Sequence, residues 1–202
     1  MKRLGFNIVL LGMIASGKET QANILKKKYQ LQFVETGVYS RKLLKEKSKN
    51  GEWARQTTGK GQPLPVPLMK AFLIKSIKDK LKNKNLLFLG ARLKPEAQLL
   101  KKMLDARKEE FIAFYITLPD KEVYKRSLKR KEGNMKAIYK VFDTKNLIAK
   151  RIAWHKDQVG KTVKYWKSLG KMTIINGNQP ILKVTKDILK AIEEYKKFIR
   201  VL

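Results

Sequence analysis

Lys18 sits near the end of a run, Gly12-Met13-Ile14-Ala15-Ser16-Gly17-Lys18-Glu19-Thr20, whose residue types suit the binding of phosphate. An apolar stretch, Phe6 to Leu11, precedes it, and a helical pattern begins at Lys18. Glycines allow a tight turn between strand and helix, and the N–H groups of such a turn converge on an anion. A lysine in that setting reaches the outer phosphates of a bound nucleotide. The strict pattern has Ser or Thr directly after the lysine; here Glu19 stands there and Thr20 follows one residue late. Gly12, Ala15, Ser16, Gly17, Lys18, Glu19 and Thr20 are therefore the candidate phosphate-loop residues. The chain has 47 basic residues, only nine of them arginine. A guanidinium offers a planar, bidentate fork that matches phosphate, so those few arginines carry information. Arg92 in particular comes just after an apolar run, where a buried strand would end.

These residues need a frame. Phe6–Leu11, Gln32–Glu35, Leu86–Leu89, Phe111–Leu118 and Met172–Ile175 read as strands. Lys18–Tyr29, Gly37–Lys47, Asn50–Gln56, a stretch from Pro65 to Leu81, Pro95–Lys108, a helix starting at Pro119-Asp120, Asp143–Lys156, Val159–Leu169 and Ile181–Leu202 read as helices. Val38, Leu43 and Leu44 are the apolar positions of the second helix, and Trp53, Trp154 and Trp166 read as packing residues. Residues 59–67, rich in Gly and Pro, form a rigid connector. Residues 130–143 form a basic segment, holding Gly133 and Asn134, that reads as a lid. Strands alternating with helices predict a parallel sheet covered on both faces. Ligands then bind at the carboxyl ends of the strands, in the segments after Leu11, Glu35 and Leu89.

Bulk composition narrows the function further. The chain is 43% apolar and 32% charged, which indicates a globular domain. No apolar run approaches the roughly 20 residues needed to span a bilayer, and the N-terminal apolar run is too short for a signal peptide. A cytoplasmic protein that uses no membrane, and a monomer, is the expectation. Cysteine is absent, which excludes disulfides, thiol nucleophiles and cysteine-ligated zinc. His155 is the only histidine and reads as a structural or surface residue. The net charge of +30 is spread mainly over lysines along the whole chain. That distribution favours non-specific polyanion binding at low salt over a localised nucleic-acid footprint.

In order and spacing these segments resemble the adenylate kinase family of nucleoside monophosphate kinases over nearly the whole chain. Gly12 to Ala22 is similar to that family's phosphate loop and following Thr-Gln-Ala. Thr36-Gly37-Val38-Tyr39-Ser40-Arg41 resembles its Thr-Gly-x-x-x-Arg segment, and Gly61-Gln62-Pro63-Leu64-Pro65 its Gly-x-x-Val-Pro turn. Gly90-Ala91-Arg92 with Pro95 resembles a Gly-Phe-Pro-Arg motif shortened by one residue. Arg126 to Arg130 resembles the basic lead-in to the lid, and Asp143 with Arg151 the exit from it.

The resemblance implies a three-layer α/β/α phosphate-loop fold with a five-stranded parallel sheet. It implies a single domain over 1–202: a core of 1–36, 82–129 and 144–202, an acceptor-binding insert of 37–81 and a short basic lid of 130–143. It implies phosphoryl transfer from ATP, with Mg2+, to a nucleoside monophosphate, AMP by default. Lys18 would hold the donor phosphates, and Thr20 would help position phosphate and the magnesium shell. Thr36, Gly37, Leu64, Gly90 and Glu96 would line the acceptor base, and Arg41 and Arg92 would grip its phosphate. Arg126, Arg130, Lys140 and Arg151 would surround the transferred group, while Asp143 would act at the lid hinge or as a helix cap. Three departures stand out: Leu89 replaces an aspartate that holds magnesium through water, and Glu19 and Ala15 replace glycines. Leu89, Glu19 and the shortened Gly90-Ala91-Arg92 segment keep open a nucleotide-binding protein of this fold with little kinase activity, and the charge keeps open a nucleic-acid-associated ATPase.

Overall fold

The computed structural model describes residues 3–58, 62–132 and 144–201. Five strands alternate with helices. They are β1 (Asn7–Gly12), β2 (Leu31–Glu35), β3 (Asn85–Leu89), β4 (Phe111–Thr117) and β5 (Met172–Asn176). Helix α1 (Lys18–Lys28) follows β1, and α2 (Thr36–Lys45), α3 (Lys49–Thr57) and α4 (Val66–Lys78) lie between β2 and β3. Then come α5 (Lys94–Ala106), α6 (Asp120–Glu132), α7 (Lys145–Trp154), α8 (Gly160–Ser168) and α9 (Ile181–Val201). The strands form one parallel sheet in the order β2-β3-β1-β4-β5.

The central strands β1, β3 and β4 are apolar and buried on both faces, whereas the edge strands β2 and β5 are partly exposed. Along β1, Val9 and Leu11 enter one core cluster while Ile8 and Leu10 enter another. Alternation of side chains along a strand produces this split. Val34, Leu86, Phe88, Phe111 and Ala113 join the first cluster with residues of α2, α3, α4, α5 and α8. Leu31, Leu87, Ile112, Phe114 and Ile116 join the second with α1 and α9. Helix α9 contributes Val184, Ile188, Ile192 and Tyr195, one per helical turn. The architecture is thus the three-layer α/β/α fold. A third cluster, Met13, Leu118, Val123, Ile148 and Ile152, packs α6 and α7 over the carboxyl end of the sheet.

Local departures from the sequence reading have simple causes. Val38 is 49% exposed although Leu43 on the same helix is buried; residues five apart lie on different sides of an α-helix. Trp53 is 41% exposed and so packs only in part, whereas Trp166 is fully buried. The break expected at residues 157–158 is absent. The chain passes from α7 through a π-helical turn, His155–Val159, directly into α8. His155 and Val159, at either end of that turn, are both buried. Helix α6 continues to Glu132, so Arg130 is helical and does not begin a loop. Residues 133–143 of the expected lid, Lys140 and Asp143 among them, and Gly61 of the connector lie outside the described residues. Among the described residues, no helix is long and apolar enough to cross a membrane.

Candidate active site

The turn after β1 is built to face an anion. Gly12 leaves no room for a side chain, since a Cβ there would lie 2.7 Å from the Ile116 carbonyl oxygen. Ala15 and Gly17 are both left-handed, at φ 57 and 85. The turn is pinned by the Met13 N–H donating to Ile116 O at 3.0 Å and the Ser16 N–H to Met13 O at 3.2 Å. Gly17 caps α1 without any side-chain acceptor. The first N–H groups of the helix are therefore left for a ligand, at its positive end.

Lys18 folds back over this turn. Its Nζ donates to Gly12 O at 2.8 Å, Met13 O at 2.7 Å and Ser16 Oγ at 3.5 Å. The side chain as a whole keeps some solvent exposure, but its ammonium end is enclosed by these acceptors. Burial and the neighbouring charge of Arg92 push its pKa down to about 7, with Arg130 and Arg151 adding to the effect and Glu19 opposing it. Three arginines far apart in sequence thus act on one ammonium.

Two clefts open on either side of Lys18 and Glu19. The first, about 150 Å³, is lined by Gly12, Lys18, Glu19, Glu35, Thr36, Gly37, Arg41, Leu89, Gly90 and Arg92 together with Leu10 and Leu11. The second, about 210 Å³, is lined by Ala15, Ser16, Gly17, Lys18, Glu19, Thr20, Arg126 and Arg130. A third, about 340 Å³, continues from Ser16, Gly17 and Thr20 past Arg126 to Gly177, Gln179 and Ile181. Arg126 Nη1 donates to Gly177 O at 3.2 Å, which ties α6 to the turn after β5.

The floor of the first cleft depends on close backbone contact. A Cβ on Gly90 would lie 2.1 Å from Thr36 Cγ2. The Thr36 hydroxyl donates to Leu89 O at 3.1 Å, so β2 and β3 are locked together where they end. Ala91 follows in the left-handed region, at φ 55, and is buried. This turn carries Arg92 outward, with its guanidinium 6.0 Å from the centre of the Trp154 ring. The Arg92 carbonyl accepts from the Thr162 hydroxyl at 2.6 Å. Arg41 Nη1 lies close to Gly37, 3.4 Å from where a Cβ would stand.

Below the cations sits His155, buried, with Nε2 3.2 Å from the Tyr115 hydroxyl. Burial and the charges of Lys18, Arg92 and Arg151 push its pKa down to about 3, so the imidazole is neutral. Arg151 lines neither cleft, but its charge reaches Lys18, Arg92 and His155.

The structure therefore brings together Gly12, Lys18, Glu19, Thr36, Gly37, Arg41, Gly90 and Arg92 in one cleft. It gathers Ala15, Ser16, Gly17, Thr20, Arg126 and Arg130 in the next. Leu64 and Glu96 line none of these clefts. Leu64 packs in the first core cluster. Glu96 is buried in the first turn of α5 and accepts from the Leu93 N–H at 3.2 Å. Burial pushes its carboxyl up, against that hydrogen bond and the charge of Arg92. Sequence reasoning missed Glu35 and the turn at Gly177–Gln179. The Gly-Asn-Gln-Pro run after the last strand was the available signal for the turn, since it lies at a strand's carboxyl end.

A family model described as adenylate kinase matches residues 10–171. The adenylate kinase of Bacteroides fragilis is 31% identical over 190 residues, covering 93% of this chain and 98% of that protein. That of Phocaeicola vulgatus is 28% identical over 190 residues, with the same two coverages of 93% and 98%. That of Methanothrix thermoacetophila is 25% identical over 218 residues, covering 94% of this chain and all of that protein.

Proposed function

The chain belongs to the adenylate kinase family, and on that premise we propose that it transfers a phosphoryl group from ATP to a nucleoside monophosphate, with AMP as the acceptor. One observation carries this reading: two cation-lined clefts share Lys18. A hydrolase needs one polyphosphate site, whereas a transferase must hold two phosphate-bearing substrates end to end. On this reading the first cleft takes the acceptor phosphate between Arg41 and Arg92. The second takes the donor phosphates on the α1 N-terminus, with Arg126 and Arg130 beside them. Lys18 and Arg151 neutralise charge between the two. The third cleft extends the donor site toward Gly177 and Gln179. Residues 37–81 then serve as the acceptor-binding insert and 130–143 as the lid.

Phosphoryl transfer asks a protein for alignment, charge neutralisation and exclusion of water rather than covalent chemistry. Rigid strand ends supply the alignment here, and arginines from α2, α6, α7 and the turn after β3 supply the charge. Magnesium carried on the triphosphate adds its own positive charge to the same oxygens. Among the described residues, no group of three or more His, Cys, Asp and Glu gathers to cage an ion. Magnesium commonly binds through one or two carboxylates plus substrate phosphates and water. Glu19 and Glu35 with the Thr20 hydroxyl offer oxygen donors of that kind beside the phosphate loop.

The test is formation of ADP from ATP with each of AMP, GMP, CMP, UMP and dTMP, with and without Mg2+. AMP-dependent turnover is expected, and Lys18→Ala and Arg92→Ala should each lower kcat/KM by at least about tenfold, roughly 1.4 kcal/mol. ATP binding without transfer would make the chain a nucleotide binder in which Leu89 has ended catalysis. ATP hydrolysis that needs no acceptor but responds to polynucleotide would favour the ATPase.

A further inference from the structure

The backbone around Arg92 is fixed from two sides. Gly90 packs against Thr36 with no room for a Cβ, and the Arg92 carbonyl accepts from the buried Thr162 hydroxyl of α8 at 2.6 Å. The side chain is another matter. It is exposed, and a long side chain left loose must be ordered when it takes a ligand. The charge of Arg151 repels it, while that of Glu96 draws it toward α5. Against these stands an aromatic contact: the guanidinium lies 6.0 Å from the centre of the Trp154 ring. Trp154 is half-buried and is the last residue of α7. It lines none of the three clefts. The next residue, His155, is buried and its Nε2 lies 3.2 Å from the Tyr115 hydroxyl, which anchors the backbone beside the ring to β4. Trp154 stands three residues after Arg151, on the same face of α7.

We infer that Trp154 is a positioning residue that holds the Arg92 guanidinium in place for the acceptor phosphate. A ring holds a cation by the charge of its π face and takes up none of its N–H donors. A carboxylate partner would occupy those donors and cancel the charge that the phosphate needs. The aromatic contact orders the side chain beforehand and leaves the bidentate fork open. The inference deepens the kinase reading and rests on it for the identity of the first cleft as the acceptor site.

The experiment is calorimetric titration, without ATP, of whichever of AMP, GMP, CMP, UMP and dTMP the wild type binds most tightly. The variants are Trp154→Phe, Trp154→Leu, Arg92→Ala and Trp154→Leu combined with Arg92→Ala. Trp154→Leu should weaken monophosphate binding roughly two- to fivefold, the size of a cation–π contact at an exposed site, and Trp154→Phe, which keeps an aromatic face, should lose less. In the Arg92→Ala background Trp154→Leu should have no further effect, because the ring then has no guanidinium to hold. Affinity for ATP, titrated separately, should be the same in Trp154→Leu as in the wild type. Unchanged monophosphate affinity in Trp154→Leu would overturn the inference. Equal losses with and without Arg92 would overturn it too, since the ring would then touch the ligand itself or only support the fold. A loss for ATP as large as that for the monophosphate would do the same. A wild type that binds none of the five monophosphates would overturn both this inference and the acceptor reading. Binding is read without turnover, so a protein that binds a monophosphate but transfers nothing would refute only the kinase reading.

Discussion

At the scale of single residues, Lys18 carries the clearest consequence. Its ammonium is held by the turn's own carbonyls and depressed in pKa to about 7 by burial and nearby cations. A bound polyphosphate brings the opposite charge and favours the protonated form. At pH 8 nucleotide binding should therefore take up protons, approaching one per site, and affinity should fall as pH rises from 7 toward 10. Titrations at pH 8 in two buffers of different ionisation enthalpy measure this directly. Lys18→Arg should abolish the uptake, because a guanidinium stays charged throughout that range. Equal observed enthalpies in the two buffers for the wild type would refute the idea. Ala15 shows the limit of what residue identity reveals. Its methyl was legible as a departure from glycine, but the left-handed backbone it must adopt was not.

Elements are joined at the amino end of the sheet, away from the clefts, by a polar network. Asn7 is buried at the start of β1; its Nδ2 donates to Glu109 Oε2 at 3.0 Å and its Oδ1 accepts from the Leu86 N–H of β3 at 2.8 Å. Lys80 and Arg107 complete the ring around Glu109, at 2.6 and 2.8 Å. Burial alone would raise the Glu109 carboxyl, but hydrogen bonds from Lys80, Asn7 and Arg107 outweigh it and hold it at about 2. A carboxyl lowered in the folded state contributes its stability above its unfolded pKa, near 4.5, and loses it as pH falls toward 2. Glu109→Gln should cost about 2 kcal/mol at pH 7, in the range for hydrogen bonds to a charged group. The cost should shrink between pH 4.5 and 2. Urea unfolding at pH 7, 4 and 2.5 checks this; curves for wild type and variant that stay parallel over that range would count against it.

At the scale of the whole molecule, the charge of +30 dominates. The ion pairs are largely exposed helical pairs, such as Lys75–Asp79 at 2.8 Å and Lys161–Asp157 at 2.9 Å, which contribute little each. Self-repulsion among the remaining cations destabilises the compact state and is screened by salt. Raising NaCl from about 50 to about 500 mM, which shortens the screening length several-fold, should therefore raise Tm. The same change should weaken polynucleotide binding steeply, by release of counterions. A Tm that falls with salt, or polynucleotide binding that persists unchanged, would contradict this account.

The sequence by itself determined the alternation of strands and helices and the phosphate-loop turn, and it singled out Arg41, Arg92, Arg126 and Arg130, which the structure gathers at two clefts, because apolar runs, glycine turns and scarce residue types are local signals. The tertiary structure decided what depends on distant segments meeting. Only the register of β2 on β3 puts Glu35 beside Leu89. Only packing at the cation cluster makes Lys18 a weak acid and His155 a neutral base. Glu96 looked like a base-reading group in the sequence, but its carboxylate turns to the backbone of its own helix, because a buried charge takes the nearest N–H. The π turn at His155–Val159 escaped the periodicity because it keeps the chain helical while changing which residues face inward.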